Sequence, residues 1–190
     1  MGIETDGQGA PRGRSRDGIL RAAGAFALIA ALWLAADVAT KAYFNGFALG
    51  SVVGGPYLGI FQFRLVHNTG MAWGLFGDST FALGVMSVVV CAVLTGFFLA
   101  NIRRITALEL VGLALVVAGG IGNALDRFTL GYVVDFIETT FIDFPVFNVA
   151  DIGVTCGFIL FVLGLLLSFK ASEASSEGSA QPEGSKGEGR

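Results

Sequence analysis

Two carboxylates carry the chemistry most worth asking about. Asp135 lies in Gly131-Tyr132-Val133-Val134-Asp135-Phe136, and Asp151 in Phe147-Asn148-Val149-Ala150-Asp151, directly before an apolar run that continues to Phe169. A carboxylate at or near bilayer depth is expensive when ionised, so it tends to mark function. Two of them a short loop apart suit acid/base chemistry at a membrane surface. Val133, Val134, Phe136 and Ile137 flank Asp135, so partial desolvation should raise its pKa. If Asp151 comes close, like-charge repulsion raises one pKa further, and the pair holds one proton near neutral pH as a coupled unit. An aspartic peptidase needs such a pair. The ionised carboxylate takes a proton from water, while the protonated one donates a hydrogen bond to the scissile carbonyl. Asp151 has a second reading, with Asn148 as N-cap and Asp151 as the N3 acid of a helix. The two roles are compatible, because the helix dipole helps keep a first-turn carboxylate ionised.

Other polar residues gather around these motifs. Gly119-Gly120-Ile121-Gly122-Asn123-Ala124-Leu125-Asp126-Arg127 combines glycines that permit close helix packing with Asn123 and Arg127, four apart on one helix face. Asp126 reads as part of a buried ion-pair network rather than as a catalytic acid, and Arg127 could also reach lipid headgroups. Asn68 opens Asn68-Thr69-Gly70-Met71-Ala72-Trp73-Gly74 and could contact a substrate backbone; Trp73 suits an interfacial anchor. Asp37 and Lys41 stand four apart, for which a local ion pair is the default. His67 has no partner at zinc spacing, and Cys91 and Cys156 lie inside apolar runs, so no metal site is expected.

The elements that must hold these groups are membrane helices. The chain has 190 residues, of which 54% are hydrophobic, and a mean hydropathy of +0.72. That is too apolar for an ordinary soluble domain. Apolar runs at about Ile19–Ala36, Thr80–Ile102, Leu108–Leu125 and Ile152–Phe169 are each long enough to span a bilayer, and continuous apolarity selects helices. The fold expected is an all-α membrane protein of four transmembrane helices with a small extracytoplasmic β-rich segment. Arg12, Arg14, Arg16, Arg21, Arg103, Arg104 and Lys170 fall on one side of such a plan, which puts both termini in the cytoplasm. Asp37-Val38-Ala39-Thr40-Lys41 is a poor cleavage site, so the first span is not read as a signal peptide. Residues 1–18 and 171–190 are expected to be disordered cytoplasmic tails flanking a membrane domain at 19–170. Extracytoplasmic segments are expected at about 42–79, where Tyr57, Gly59, Phe61, Phe63 and Leu65 alternate as in a hairpin, and at about 126–148, an aromatic loop suited to lipid or a lipidated ligand. The net charge of −3 shows no nucleic-acid surface.

Together these motifs resemble the bacterial lipoprotein signal peptidase family (signal peptidase II). The resemblance rests on Asp37-x-x-Thr40-Lys41, the Asn68–Gly74 and Gly119–Arg127 segments, Gly131–Phe136 and Phe147–Asp151, and covers roughly residues 20–168. Trp73 stands where the family usually has Phe. The resemblance implies a four-helix aspartic endopeptidase of the bacterial inner membrane, with Asp135 and Asp151 as the catalytic dyad near the extracytoplasmic face. Asn68, Asn123, Arg127, Asn148, Asp37 and Lys41 would support the site. The implied substrate is a prolipoprotein whose cysteine carries a diacylglyceryl group, cut just before that cysteine. No metal or cofactor is implied, the partners are substrate and membrane lipid, and a monomer is expected.

Two other classes use intramembrane acids or none. A proton-coupled transporter is disfavoured by few spans, no inverted repeat and acids clustered at one face. A non-catalytic scaffold would leave the acid-bearing motifs without a role. A presenilin-like protease would need a Gly-x-Gly-Asp motif, which is absent.

Overall fold

The computed structural model describes residues 14–70 and 79–179. Four helices are built from the four apolar runs: α1 (Arg16–Phe44), α2 (Thr80–Asn101), α3 (Ala107–Thr129) and α4 (Val149–Ser179). All four are long and apolar enough to cross a membrane. Three outrun the apolar stretch that announces them. α1 carries Asp37 and Lys41 inside its last turns, and α4 continues past Phe169 into the expected tail as far as Ser179. Hydropathy marks only the part of a helix that lies in lipid, whereas the hydrogen-bonded backbone goes on wherever Ala, Glu and Ser allow it. Trp73 lies outside the described residues, as do the outer parts of both tails.

α3 is the central helix, with most of its length buried, while α2 turns Val85, Val88, Val89 and Val93 outward as lipid-facing residues do. Its start is fixed by a capping box: Thr106 Oγ1 accepts from Glu109 N, and Glu109 Oε2 accepts from Thr106 N. Small residues bring α3 and α4 together. A Cβ on Gly112 would fall 2.6 Å from Gly157 O, and one on Gly157 2.6 Å from Gly112 O. Lipid supplies no hydrophobic drive between helices, so such close backbone contact is how they associate. At the opposite end from the sheet, Arg14 Nη1 donates to Ile102 O at 2.8 Å, tying the start of α1 to the Arg103–Arg104 turn.

One end of the bundle carries an antiparallel sheet in the order β1-β2-β3: β1 (Val52–Tyr57), β2 (Phe61–Asn68) and β3 (Val133–Thr139). The expected hairpin is present, turning through Leu58 and Gly59, both at positive φ. The third strand comes from the segment read in sequence as an aromatic loop. It pairs Val66 with Asp135 and Asn68 with Val133. Strand alternation gives β3 two buried faces. Val134 and Phe136 pack with Leu65 and Phe44, the Phe136 ring stacked on Phe44 at 4.1 Å, while Val133 and Asp135 line a cavity on the other side.

Candidate active site

The beginning of α4 is a reciprocal cap, as its sequence indicates. Asn148 Oδ1 accepts from Asp151 N at 3.0 Å, and Asp151 Oδ2 accepts from Asn148 N at 3.1 Å. Asp151 is thereby held in the first turn, where the positive end of the helix dipole favours an anion. Asn148, wholly buried, also extends its amide to the other acid: Nδ2 donates to Asp135 Oδ1 at 2.7 Å. Asp135 Oδ2 accepts from Asn68 Nδ2 at 2.9 Å, across the β2–β3 pair. Asp151 Oδ1 accepts from Asn123 Nδ2 at 2.7 Å. The two carboxylates thus come from a strand and a helix and are bridged by one asparagine.

Asp135 is 1% exposed. Burial, helped by the neighbouring Asp151 charge, pushes its carboxyl up to about 7 against the hydrogen bonds of Asn68 and Asn148 and the more distant Lys41. A carboxyl with that value can carry a proton at neutral pH and still part with it, as acid/base chemistry requires.

Behind the two acids lies a second layer. Lys41, 3% exposed, places Nζ 2.9 Å from Asn123 Oδ1, 2.9 Å from Asp37 Oδ2 and 3.2 Å from Asp126 Oδ2. The Asp37 contact is an ion pair rather than an aligned hydrogen bond. Asp37 Oδ1 accepts from Ala150 N at 2.8 Å, and Asp126 Oδ2 accepts from Val134 N at 3.0 Å. The local Asp37–Lys41 pair expected from sequence is present, but it belongs to a four-element network. Two glycines make this possible. A Cβ on Gly122 would collide with Asp37 Oδ2, and one on Gly119 with Ala150 O.

Both acids face a cavity of about 490 Å³, whose wall includes Asn68, Asn123, Arg127, Asp135 and Asp151. Arg127 reaches Asn123 O at 3.3 Å and Gly70 O at 3.4 Å. Asn148, Asp37, Lys41 and Asp126 stand behind this wall rather than in it. Phe144 and Phe147, from the segment expected to meet lipid or a lipidated ligand, form an apolar flank with Ile152, Thr155 and Cys156, which the sequence did not single out. Thr155 and Cys156 follow Asp151 by about one turn on α4, and that spacing was the available signal. His67 lies beside the site, stacked on Tyr132 at 3.8 Å and hydrogen-bonded through Nε2 to Asn45 Oδ1 at 2.9 Å. A polar floor carrying two acids, under an apolar flank, can hold a peptide bond with one end in lipid and supply it with water and a proton.

Comparison with known proteins gives a consistent answer. A model of the family described as signal peptidase (SPase) II matches residues 29–167. The lipoprotein signal peptidase of Pseudomonas putida is 39% identical over 168 residues, covering 80% of this chain and 95% of that one. That of Enterococcus faecalis is 38% identical over 120 residues, covering 63% and 74%. A bacterial membrane enzyme structure determined by the in meso method at 2.3 Å superposes with a TM-score of 0.69 at 27% identity, covering 86% of this chain and 95% of that one.

Proposed function

The chain belongs to the signal peptidase II family, and on that premise we propose that it removes signal peptides from diacylglyceryl-modified prolipoproteins, cutting before the lipidated cysteine with Asp135 and Asp151 as its catalytic dyad. The observation that carries this reading is the Asn148 bridge, which sets both carboxyls on one cavity wall. One carboxyl is ionised and the other protonated. The ionised one takes a proton from a water whose oxygen adds to the scissile carbonyl carbon, while the protonated one donates a hydrogen bond to the carbonyl oxygen. When the tetrahedral intermediate collapses, the proton taken from water passes to the leaving amine and the C–N bond breaks. The two acids return to their starting state.

Asn68, Asn123, Arg127 and Asn148 hold the dyad and the substrate backbone; Asp37, Lys41 and Asp126 act from behind. The acyl chains lie against the lipid-facing side of the apolar flank at Phe144, Ile152 and Cys156. With the Arg103–Arg104 end in the cytoplasm, the dyad lies near the extracytoplasmic face and both termini are cytoplasmic. The protein acts as a monomer on its lipidated substrate. Support for this orientation comes from the basic residues gathered at the end of the bundle opposite the sheet.

The test is cleavage by the purified protein in detergent. A prolipoprotein peptide with a diacylglyceryl cysteine and the same peptide with a bare cysteine are compared, each with and without a chelator. The expected result is much faster cleavage of the lipidated peptide, because buried methylenes contribute about 0.8 kcal/mol each and hold the bond at the interface. Chelator should have no effect. Equal rates on both peptides would remove the lipid-anchoring argument, and loss of activity with chelator would remove the metal-free mechanism.

A further inference from the structure

Lys41 has three donors and no acceptor, and its ammonium is surrounded by acceptor oxygens: it donates to Asn123 Oδ1 and forms ion pairs with Asp37 Oδ2 and Asp126 Oδ2. Asn123 Oδ1 also accepts from Asn148 Nδ2 at 3.1 Å. With two donors converging on that oxygen, the Asn123 amide has one permitted orientation. Flipped, its NH2 would face an ammonium and another NH2. The permitted orientation turns Nδ2 toward Asp151 Oδ1 at 2.7 Å. The flipped one would set a carbonyl oxygen against the Asp151 carboxylate, which only a protonated acid could accommodate. The amide orientation and the charge of Asp151 are therefore linked, and the ammonium is the fixed member.

We propose that Lys41 is a positioning residue that designates Asp151 as the ionised member of the dyad and Asp135 as the proton carrier, by locking the side-chain amide of Asn123. The inference rests on the dyad reading and assigns the two acids their separate roles. Asp151 sits at N3 of α4 in the favourable end of the helix dipole and accepts two N–H groups. The charged groups that act on it are Lys41 from α1, Arg127 from α3 and Asp135 from β3; Asp37 and Asp126 lie beyond, each engaged by Lys41. Asp135 sees two neutral amides from Asn68 and Asn148 in a deeply buried setting, which suits the carrier of the proton.

The experiment is the pH profile of kcat/KM on a lipidated prolipoprotein peptide. In this scheme the acid limb reports protonation of Asp151. Asn123→Leu removes the locked amide and should move that limb up by about one pH unit, a roughly tenfold loss on the acid side, as expected for one hydrogen bond to a charged group. Lys41→Met should move it in the same direction. Because Lys41→Met orphans a buried carboxylate and can fail to fold, Lys41→Met with Asp37→Asn is the companion variant; it removes the orphan and keeps an oxygen for Ala150 N. Adding the Lys41 change to Asn123→Leu should shift the limb by clearly less than the Lys41 change does alone, because only the direct effect of the ammonium charge is left to lose. An acid limb that stays in place in a folded Lys41 variant or in Asn123→Leu overturns the assignment, as do fully additive shifts. If Asp135→Asn and Asp151→Asn both turn over normally, the dyad reading itself fails, and that outcome is distinct from an unmoved limb.

Discussion

Asp37 on α1 accepts the backbone N–H of Ala150 on α4 at 2.8 Å, across 113 residues of sequence. That N–H is one of the four at a helix start with no partner inside the helix. Asn148 caps the N–H of Asp151, and Asp37 reaches in from another helix to take the one before it. Asp126 does the equivalent for Val134, the residue before Asp135. One lysine lies beside both carboxylates. The backbone immediately ahead of each catalytic candidate is therefore held by the same buried charge cluster.

Replacing either acid by asparagine should stop cleavage without unfolding the protein. Asn keeps the shape and an acceptor oxygen but cannot exchange a proton. For Asp135→Asn and Asp151→Asn we expect a loss of at least about 100-fold in kcat, the usual lower range for positioned acid/base groups. The check is turnover of a lipidated peptide, with size-exclusion behaviour in detergent compared with the parent. A folded variant that cleaves at the parent rate would refute the assignment.

The pH dependence follows from Asp135. Its folded value is about 7, against about 3.9 for an unfolded aspartate. Between these values the folded protein keeps a proton that the unfolded chain has released. The contribution to stability is thus fully present below about pH 4, falls as pH rises through the window, and is flat above about pH 7. Activity should drop by about tenfold per pH unit once that proton is lost above about pH 7. Thermal unfolding from pH 4 to 8 measures the first effect, and Asp135→Asn should flatten it.

Adjacent glycines should differ in their tolerance of a methyl group. At Gly119 the new Cβ would meet a backbone oxygen, Ala150 O, whereas at Gly120 it would meet only the Cys91 side chain, at 2.5 Å. A thiol can rotate aside; the first turn of α4 cannot. Gly119→Ala should cost about 1–3 kcal/mol and weaken the Asn123–Asp151 hydrogen bond by pushing α4 away. Gly120→Ala should cost clearly less. Melting temperatures and cleavage rates of the two variants test this, and equal losses would count against the close α3–α4 contact.

Asp37→Ala should be more damaging than Asp37→Asn. Alanine leaves Ala150 N–H unsatisfied and removes one of the two anions beside Lys41, a loss of about 3 kcal/mol or more for a buried pair. Asparagine keeps an oxygen for Ala150. The prediction is read as a larger fall in melting temperature for the alanine variant. The reverse order would mean that the charge of Asp37 matters more than its acceptor.

What the sequence determined by itself is local. Four apolar runs of bilayer length can only be helices, because lipid offers no partner for backbone N–H and C=O groups. Asn148 and Asp151 are three apart before an apolar run, so their mutual cap is written in the spacing. Alternation in Tyr57–Leu65 gave the hairpin. The tertiary structure decided everything that depends on distant segments meeting. β3 could not be read from Val133–Thr139, because a strand buried on both faces shows no alternation, and its partner β2 is more than sixty residues earlier. Lys41 looked like half of a helix-surface pair, since an i,i+4 spacing is satisfied locally and says nothing of Asn123 or Asp126. That one ammonium stands behind both acids follows only when α1, α3, α4 and β3 converge, and glycines at 119 and 122 let them come close enough.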